Sequence, residues 1–271
     1  MSTKGVYTAL SGALAQNLRL DTIANNIANV NTPSFKKDQQ TFREYLTANE
    51  KPSDVIQVPR IPASVESFYD MQGGDKSFVD SNGTYTDFSQ GSLKTTGNPL
   101  DVAIDGQGMF EVMTPAGVRY TRSGSFSVDG LGQVVTKDGF PLLMEAPDGT
   151  DPQNRIFKVN SSQVQIADNG EVFDQNVSLG KIALAQFDNK DALRKMGNNL
   201  YEEKTGTTSG KKATTNTQLK QGFLELSNVN VVQEMTDMIT AQRVFESTQK
   251  AIHSYDEMNE KLVNVVGKVT G

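Results

Sequence analysis

Read from its amino end, the chain places Val6, Leu10, Ala13, Asn17, Leu20, Ala24 and Ile27 at alternating steps of four and three residues. That alternation turns one face of a helix toward a partner helix, the pattern of a coiled-coil seam. Ile23 and Val30 widen the apolar stripe, and Thr32-Pro33 closes it, because the residue before a proline is pushed out of the helical region. The spacing predicts a first helix that stops near Val30. The same alternation returns at the other end through Met238, Ala241, Phe245, Thr248, Ile252, Tyr255, Asn259, Leu262, Val266 and Val269. A helix from Asn230 to Val266 would run roughly 55 Å, and nothing between the two ends is helical enough to cover it. The ends are therefore expected to pair with each other.

Between them the period falls from 3.5 to 2, which is the period of a half-buried strand. Asn82-Gly83, Asp129-Gly130, Asp138-Gly139, Asp148-Gly149 and Asn169-Gly170 punctuate the region as hairpin turns. Short strands are expected at Leu100–Ile104, Gly108–Met113, Phe126–Val128 and Lys181–Phe187, arranged as a sandwich or an irregular barrel. Val128–Val134 and Ile166–Val172 echo each other weakly, as two hairpins with similar turn chemistry would. Glu50–Glu66, with Pro52, Pro59 and Pro62, reads as an extended arm, and the polar run Thr205–Thr217 as an exposed connection. The predicted fold class is α+β. An N-terminal assembly helix covers 1–32, a linker or arm 33–75, a mainly β domain 76–225, and a C-terminal assembly helix 226–271, which forms a coiled-coil domain with the first.

Composition narrows the chemistry. The 271 residues carry a net charge of −6, which disfavours a general polyanion binder, so nucleic acid is not the expected partner. The absence of cysteine excludes disulfides and thiolate chemistry, and His253 as the sole histidine excludes any site that needs two imidazoles. No apolar run approaches the ~20 residues of a membrane span. Ala13-Leu14-Ala15 imitates a signal-peptidase site, yet the helical pattern continues through it, so no cleavage is expected. Gly106-Gln107-Gly108 lacks the third glycine and the following helix of a phosphate-binding loop and reads as a turn. Asp101, Asp105 and Glu111 could in principle supply the two carboxylates of a glycoside hydrolase acting on the cell wall. The Asp-Gly pairs lack the spaced oxygen ligands of a calcium loop, and no cofactor or metal is expected.

Four blocks carry a resemblance. LDTIANNIANVNTPSFKK from Leu20, TGNPLDVAIDGQGMFEV from Thr96, YTRSGSFSVDGLGQVVTKDGFPLL from Tyr120 and QGFLELSNVNVVQEMTDMITAQRVFESTQKAI from Gln221 resemble, in order and position, the rod proteins of the bacterial flagellar basal body. YTALSGALAQ from Tyr7 and GTYTDFSQGSLKTTGNPLD from Gly83 look most like the proximal-rod members, with the distal-rod members close behind. Met109 stands where the family usually has phenylalanine, and Ser34 where glycine is common. The resemblance implies a non-enzymatic structural subunit with no small-molecule substrate. It implies export by the flagellar type III apparatus without a cleaved signal, and assembly in the periplasm with copies of itself and other rod proteins. The product would be a helical tube that transmits torque. The assembly seam is then expected at Val6, Leu10, Leu20, Ile27, Met238, Phe245, Ile252, Tyr255, Leu262 and Val266.

Overall fold

The computed structural model describes residues 4–46, 77–147, 150–159, 164–175, 177–214 and 217–266. The fold is α+β: a helix near each end of the chain and a mainly β middle. Helix α1, Lys4–Ala28, ends two residues before Val30. Asn29 and Val30 donate their N–H groups to the carbonyls of Asn26 and Ile27, each at 3.2 Å, which tightens the last turn and turns the chain out before Pro33. Helix α2, Val231–Val266, fills the range that the C-terminal periodicity predicts. Pairing of the two helices as a coiled coil is not shown by the described residues.

Two compact units result. One gathers the described residues of 1–25, 39–85 and 232–271, and the other those of 26–38 and 86–231. In the first, strands β1, Asp38–Leu46, and β2, Ser77–Thr86, form a two-stranded ribbon, tied near its end by Thr41 Oγ1 donating to the Gly83 carbonyl at 3.1 Å. The expected Pro-rich arm at Glu50–Glu66 lies outside the described residues.

The second unit holds the short strands in chain order: β3 Leu93–Thr95, β4 Val102–Asp105, β5 Met109–Thr114, β6 Gly117–Thr121, β7 Phe126–Val128 and β8 Val134–Thr136. There follow β9 Val164–Ile166, β10 Glu171–Asp174, β11 Val177–Lys181, β12 Leu184–Phe187, β13 Leu193–Gly197, β14 Leu200–Glu203, β15 Lys211–Ala213, β16 Gln218–Gln221 and β17 Phe223–Glu225. One antiparallel sheet runs β13-β14-β6-β5-β12-β15, and smaller ladders pair β9-β10-β11, β7-β8, β4-β16 and β3-β17. The mainly β middle is thus one larger sheet and several small ladders. Pro141–Met144 links them through single bridges such as Val112↔Leu142, Leu143↔Ile156 and Met144↔Ile182 instead of forming a continuous strand. The echoing stretches are indeed two hairpins. Asp129 Oδ1 accepts from the N–H groups of Leu131 and Gln133 at 2.9 and 2.8 Å, and Asn169 Oδ1 from that of Glu171 at 2.9 Å.

The large sheet is covered on both faces, so β5 is buried along nearly its whole length instead of alternating. Phe110 and Val112 join Val102, Ile104, Leu142 and Phe157 in the main core, while Met109 packs with Tyr120, Phe187 and Tyr201 in a second cluster. At about 25 cal/mol per Å² of apolar area, these two clusters are the principal source of the unit's stability.

Candidate functional site

On α2 the covered line runs through Met238, Ala241, Phe245, Thr248 and Ile252, with Ala241 fully buried and the others half-buried. Tyr255 is exposed, and the side chains of Leu262 and Val266 lie outside those described. On α1, Val6, Leu20 and Ile27 are half-buried, whereas Leu10 is exposed. The covered line there steps through Val6, Ala9, Ala13, Gln16, Leu20 and Ile23, so every second position falls one residue before the expected one. Small and apolar residues occur all round this helix, and spacing alone does not choose between adjacent stripes. Gln16 Oε1 is buried on that line with no hydrogen-bond partner among the described residues.

Both helices leave apolar side chains in the open. Tyr7, Leu10, Leu14 and Leu18 follow one another at helical spacing along α1, with Tyr7 59% exposed. Val232, Met235 and Ile239 form a comparable line on α2, and Val244, Tyr255 and Met258 lie exposed farther along it. Isolated exposed apolar residues are ordinary, but lines of them on long helices mark surfaces that another chain covers.

The segment after α1 is fixed by an arrangement that sequence reasoning did not single out. Asn26 grips the backbone of Asp38 from both sides: its Nδ2 donates to the Asp38 carbonyl at 2.9 Å and its Oδ1 accepts the Asp38 N–H at 3.0 Å. Ser34 is buried with φ +57°, a left-handed conformation that glycine adopts freely, which accounts for the glycine commonly found there in the proteins that the chain resembles. Its N–H donates to the Glu225 carbonyl at 2.8 Å. Phe35 is buried beneath the Lys195 ammonium, 4.0 Å from the ring centroid, and Lys195 also reaches Asp38 Oδ2 at 2.9 Å.

Lys36 runs inward to Glu225. The Lys36 ammonium lies 2.5 Å from Glu225 Oε1, Arg122 Nε 2.6 Å from Oε2, and the Gly91 N–H donates to Oε1 at 2.9 Å. The three charged residues are almost wholly buried. Gly91 has no alternative here, because a Cβ would stand 2.0 Å from the Leu226 carbonyl oxygen. Burial alone would raise the Glu225 pKa, but the Arg122 and Lys36 charges outweigh it and hold the carboxyl below its usual range. Lys36 is shifted down, chiefly by desolvation, with Glu225 opposing. The lone charge in Phe223-Leu224-Glu225-Leu226 was the available signal: a carboxylate in an apolar strand needs a buried cation.

The suggested catalytic carboxylates do not form an acid/base pair. Asp101 accepts from Asn98 Nδ2 at 3.2 Å, and Asp105 lies 2.5 Å from the Lys220 ammonium, whose hydrogen bond holds its pKa below the usual range. A general acid needs a raised value. Glu111 is buried between Arg155 at 2.7 Å and Lys211 at 2.6 Å. His253 is exposed on α2, and no cluster of metal-ligating residues occurs among the described residues.

Lys211 is exposed, as expected of the polar run, and lies on edge strand β15 with its ammonium on Glu111. Lys211→Asp sets a second carboxylate beside a buried one. The expected loss is about 1–3 kcal/mol in urea unfolding, against well under 1 for Lys212→Asp, whose partner Asp188 is exposed.

Comparison with known proteins follows the same blocks. Residues 6–36 match the family model described as flagella basal body rod protein, 103–173 the D1 domain of flagellar hook protein FlgE/F/G, and 220–265 the C-terminal region of flagellar basal body rod FlgEFG protein. The chain is 37% identical to flagellar basal-body rod protein FlgG of Bacillus subtilis, covering 97% of this chain and 98% of that one. It is 36% identical to FlgG of Caulobacter vibrioides over 94% and 96% of the two chains. Flagellar basal-body rod protein FlgF of the same organism is 32% identical over 97% and 98%.

Proposed function

The chain belongs to the flagellar basal-body rod proteins, a structural and non-enzymatic family, and from that premise we propose that it is a distal-rod subunit of the FlgG type. The opening decapeptide and the Gly83 block had favoured the proximal-rod FlgF type. What supports the distal reading is full-length likeness: FlgG relatives at 37% and 36% identity stand above the FlgF relative at 32%.

The observation that carries a role in assembly is the pair of exposed apolar lines on α1 and α2. In this reading the two helices pair along their covered lines as a coiled coil, and the exposed lines pack on neighbouring copies and on other rod proteins. Heterologous contacts of that kind do not close on themselves and extend into a helical tube. Of the assembly residues, Val6, Leu20, Ile27, Met238, Phe245 and Ile252 belong to the half-buried side, Leu10 and Tyr255 to the exposed side, and Leu262 and Val266 continue the seam by their spacing. The tube stands in the periplasm and transmits torque, and its subunits arrive through the type III export apparatus without loss of an N-terminal signal.

Isolated basal bodies that carry a tagged copy test the placement. Gold label is expected along the distal part of the rod, and mass spectrometry of the same preparation should find a first residue of Met1 or Ser2. Label confined to the proximal end reinstates the FlgF type. A first residue of Gln16 strips Val6, Leu10 and Ala13 from the helix and ends the uncleaved reading.

A further inference from the structure

Within the β unit, an open cleft is lined by Lys36, Phe88, Gln90, Gln107, Arg122 and Lys190 together with the glycine turn between β4 and β5. The turn that resembled half of a phosphate loop is wrapped around a cation instead: Arg122 Nη2 donates to the carbonyls of Gly106 at 2.7 Å and Ile104 at 3.0 Å, and Nη1 to that of Gly108 at 2.5 Å. A guanidinium has five N–H donors, and with Nε on Glu225 four are engaged, leaving one on Nη1. Lys36 has three, of which Ser89 O at 2.7 Å and Glu225 Oε1 take two. Each of these buried side chains has one N–H with no partner among the described residues, and both side chains line the cleft.

Charge points the same way. Two buried cations face one carboxylate, and Lys190 has no ion pair among the described residues. Of the neighbouring acidic groups, Asp105 pairs with Lys220 at 2.5 Å and Asp188 with Lys212 at 2.5 Å, while Asp87, which accepts the Ser89 N–H at 2.9 Å, also acts on Lys36, so that Lys36, Arg122 and Lys190 stand against Glu225 and Asp87. The cleft is thus a positive recess with unspent donors on a chain whose net charge is −6. A second copy offers an excess of carboxylates, and a planar carboxylate accepts from an arginine and two ammonium groups at once.

We propose that this cleft is a carboxylate-binding site, filled in the rod by an Asp or Glu side chain of a neighbouring copy. Lys190 meets the carboxylate at the rim, and Lys36 and Arg122 meet it at the floor. The proposal rests on the reading of the chain as a self-assembling subunit. It adds a polar contact on the β unit to the apolar contacts of the helices, and a charge-assisted contact in a recess fixes register where apolar stripes tolerate sliding.

The test mixes ¹⁵N-labelled and unlabelled full-length chain in equal amounts, lets them assemble, and treats the polymer with a water-soluble carbodiimide. The reagent activates a carboxylate, and attack by the Lys190 amine forms an amide as the urea leaves, a net loss of one water taken up by the carbodiimide. A cross-linked peptide that joins Lys190 of one isotope to an acidic residue of the other is expected. Lys190→Gln should remove it and raise the critical concentration for assembly about three- to tenfold, and Lys190→Glu should raise it further. Wild-type polymer in which Lys190 joins only same-isotope peptides, or in which both variants assemble as the wild type does, overturns the cleft while leaving the subunit reading intact. A wild-type chain that does not polymerise under any condition removes the subunit reading, and the cleft proposal falls with it.

Discussion

Glu225→Gln is expected to lower the unfolding free energy of the full-length chain by about 3–5 kcal/mol, the usual loss when one partner of a buried ion pair is removed. The magnitude follows from what remains: Lys36 and Arg122, both nearly inaccessible to water, face each other without their shared counter-charge. Lys36→Met is the informative companion. It leaves Arg122 and Glu225 as a balanced pair and fills the space with an apolar chain of similar length, so its loss should be less than half as large. Urea unfolding followed by near-ultraviolet circular dichroism measures both. Equal losses from the two variants would mean that the charges act only as packing volume.

The acid limb of stability carries a second readout of the same group. Glu225 titrates below its ordinary value of 4.5 in the folded chain. Its contribution is therefore present above that value and declines as pH falls from there toward the folded pKa. Wild-type stability should drop through that window, and the Glu225→Gln variant should show a shallower slope.

Ile252→Asp is expected to abolish incorporation into rods, reducing rod-bound protein more than tenfold in purified basal bodies. Ile252 lies on the covered line of α2 with Met238, Ala241 and Phe245, so a carboxylate there must be desolvated or must part the helix from whatever covers it, at several kcal/mol. Ser247→Asp places the same charge five residues away on the exposed side and should assemble to within about twofold of the wild type. The near-ultraviolet spectrum of the β unit, dominated by Tyr120, Tyr201 and Phe110, should be unchanged in both. Normal rods from Ile252→Asp would detach assembly from this face of the helix.

How far the sequence could be read depended on whether a signal was local. The α2 line from Met238 to Ile252 was legible because its steps of three and four run on without a break, although Val232, Met235, Ile239 and Val244 add apolar surface on another face. On α1 the choice between Leu10 and Ala9, or Asn17 and Gln16, was open, since Tyr7, Leu14 and Leu18 add apolar surface on a second face. The strands at Met109–Thr114 and Phe126–Val128 followed from turns that close within a few residues. The register of β14 against β6, with Tyr201 opposite Tyr120, is set by packing across about eighty residues and left no local mark. The Lys36–Glu225–Arg122 cluster is the extreme case: all three residues sat inside the quoted blocks, yet only the folded chain brings them together. Lys211 is exposed, as a lysine in a run of threonines and glycines should be, but its partner Glu111 comes from a strand one hundred residues earlier and left no local mark.

The hydrogen bond from the Ser34 N–H to the Glu225 carbonyl joins residues 191 positions apart and places the incoming and outgoing passages of the chain side by side in the β unit. Asn228 extends that seam, accepting the Lys37 N–H at 2.8 Å on Oδ1 and giving its own N–H to the Phe35 carbonyl at 3.4 Å. In mechanical terms the two passages are spliced to each other and, through Lys195 on β13 and Asn199 after it, to the six-stranded sheet. Tension that enters along the first passage reaches the second across a few hydrogen bonds and the Lys36–Glu225 ion pair, and reaches the sheet through Lys195 and Asn199. Arg122, Lys195 and Asn199 are thereby the positions of the sheet region at which a substitution alters how the two passages are held, while among the described residues the rest of its surface carries no such duty.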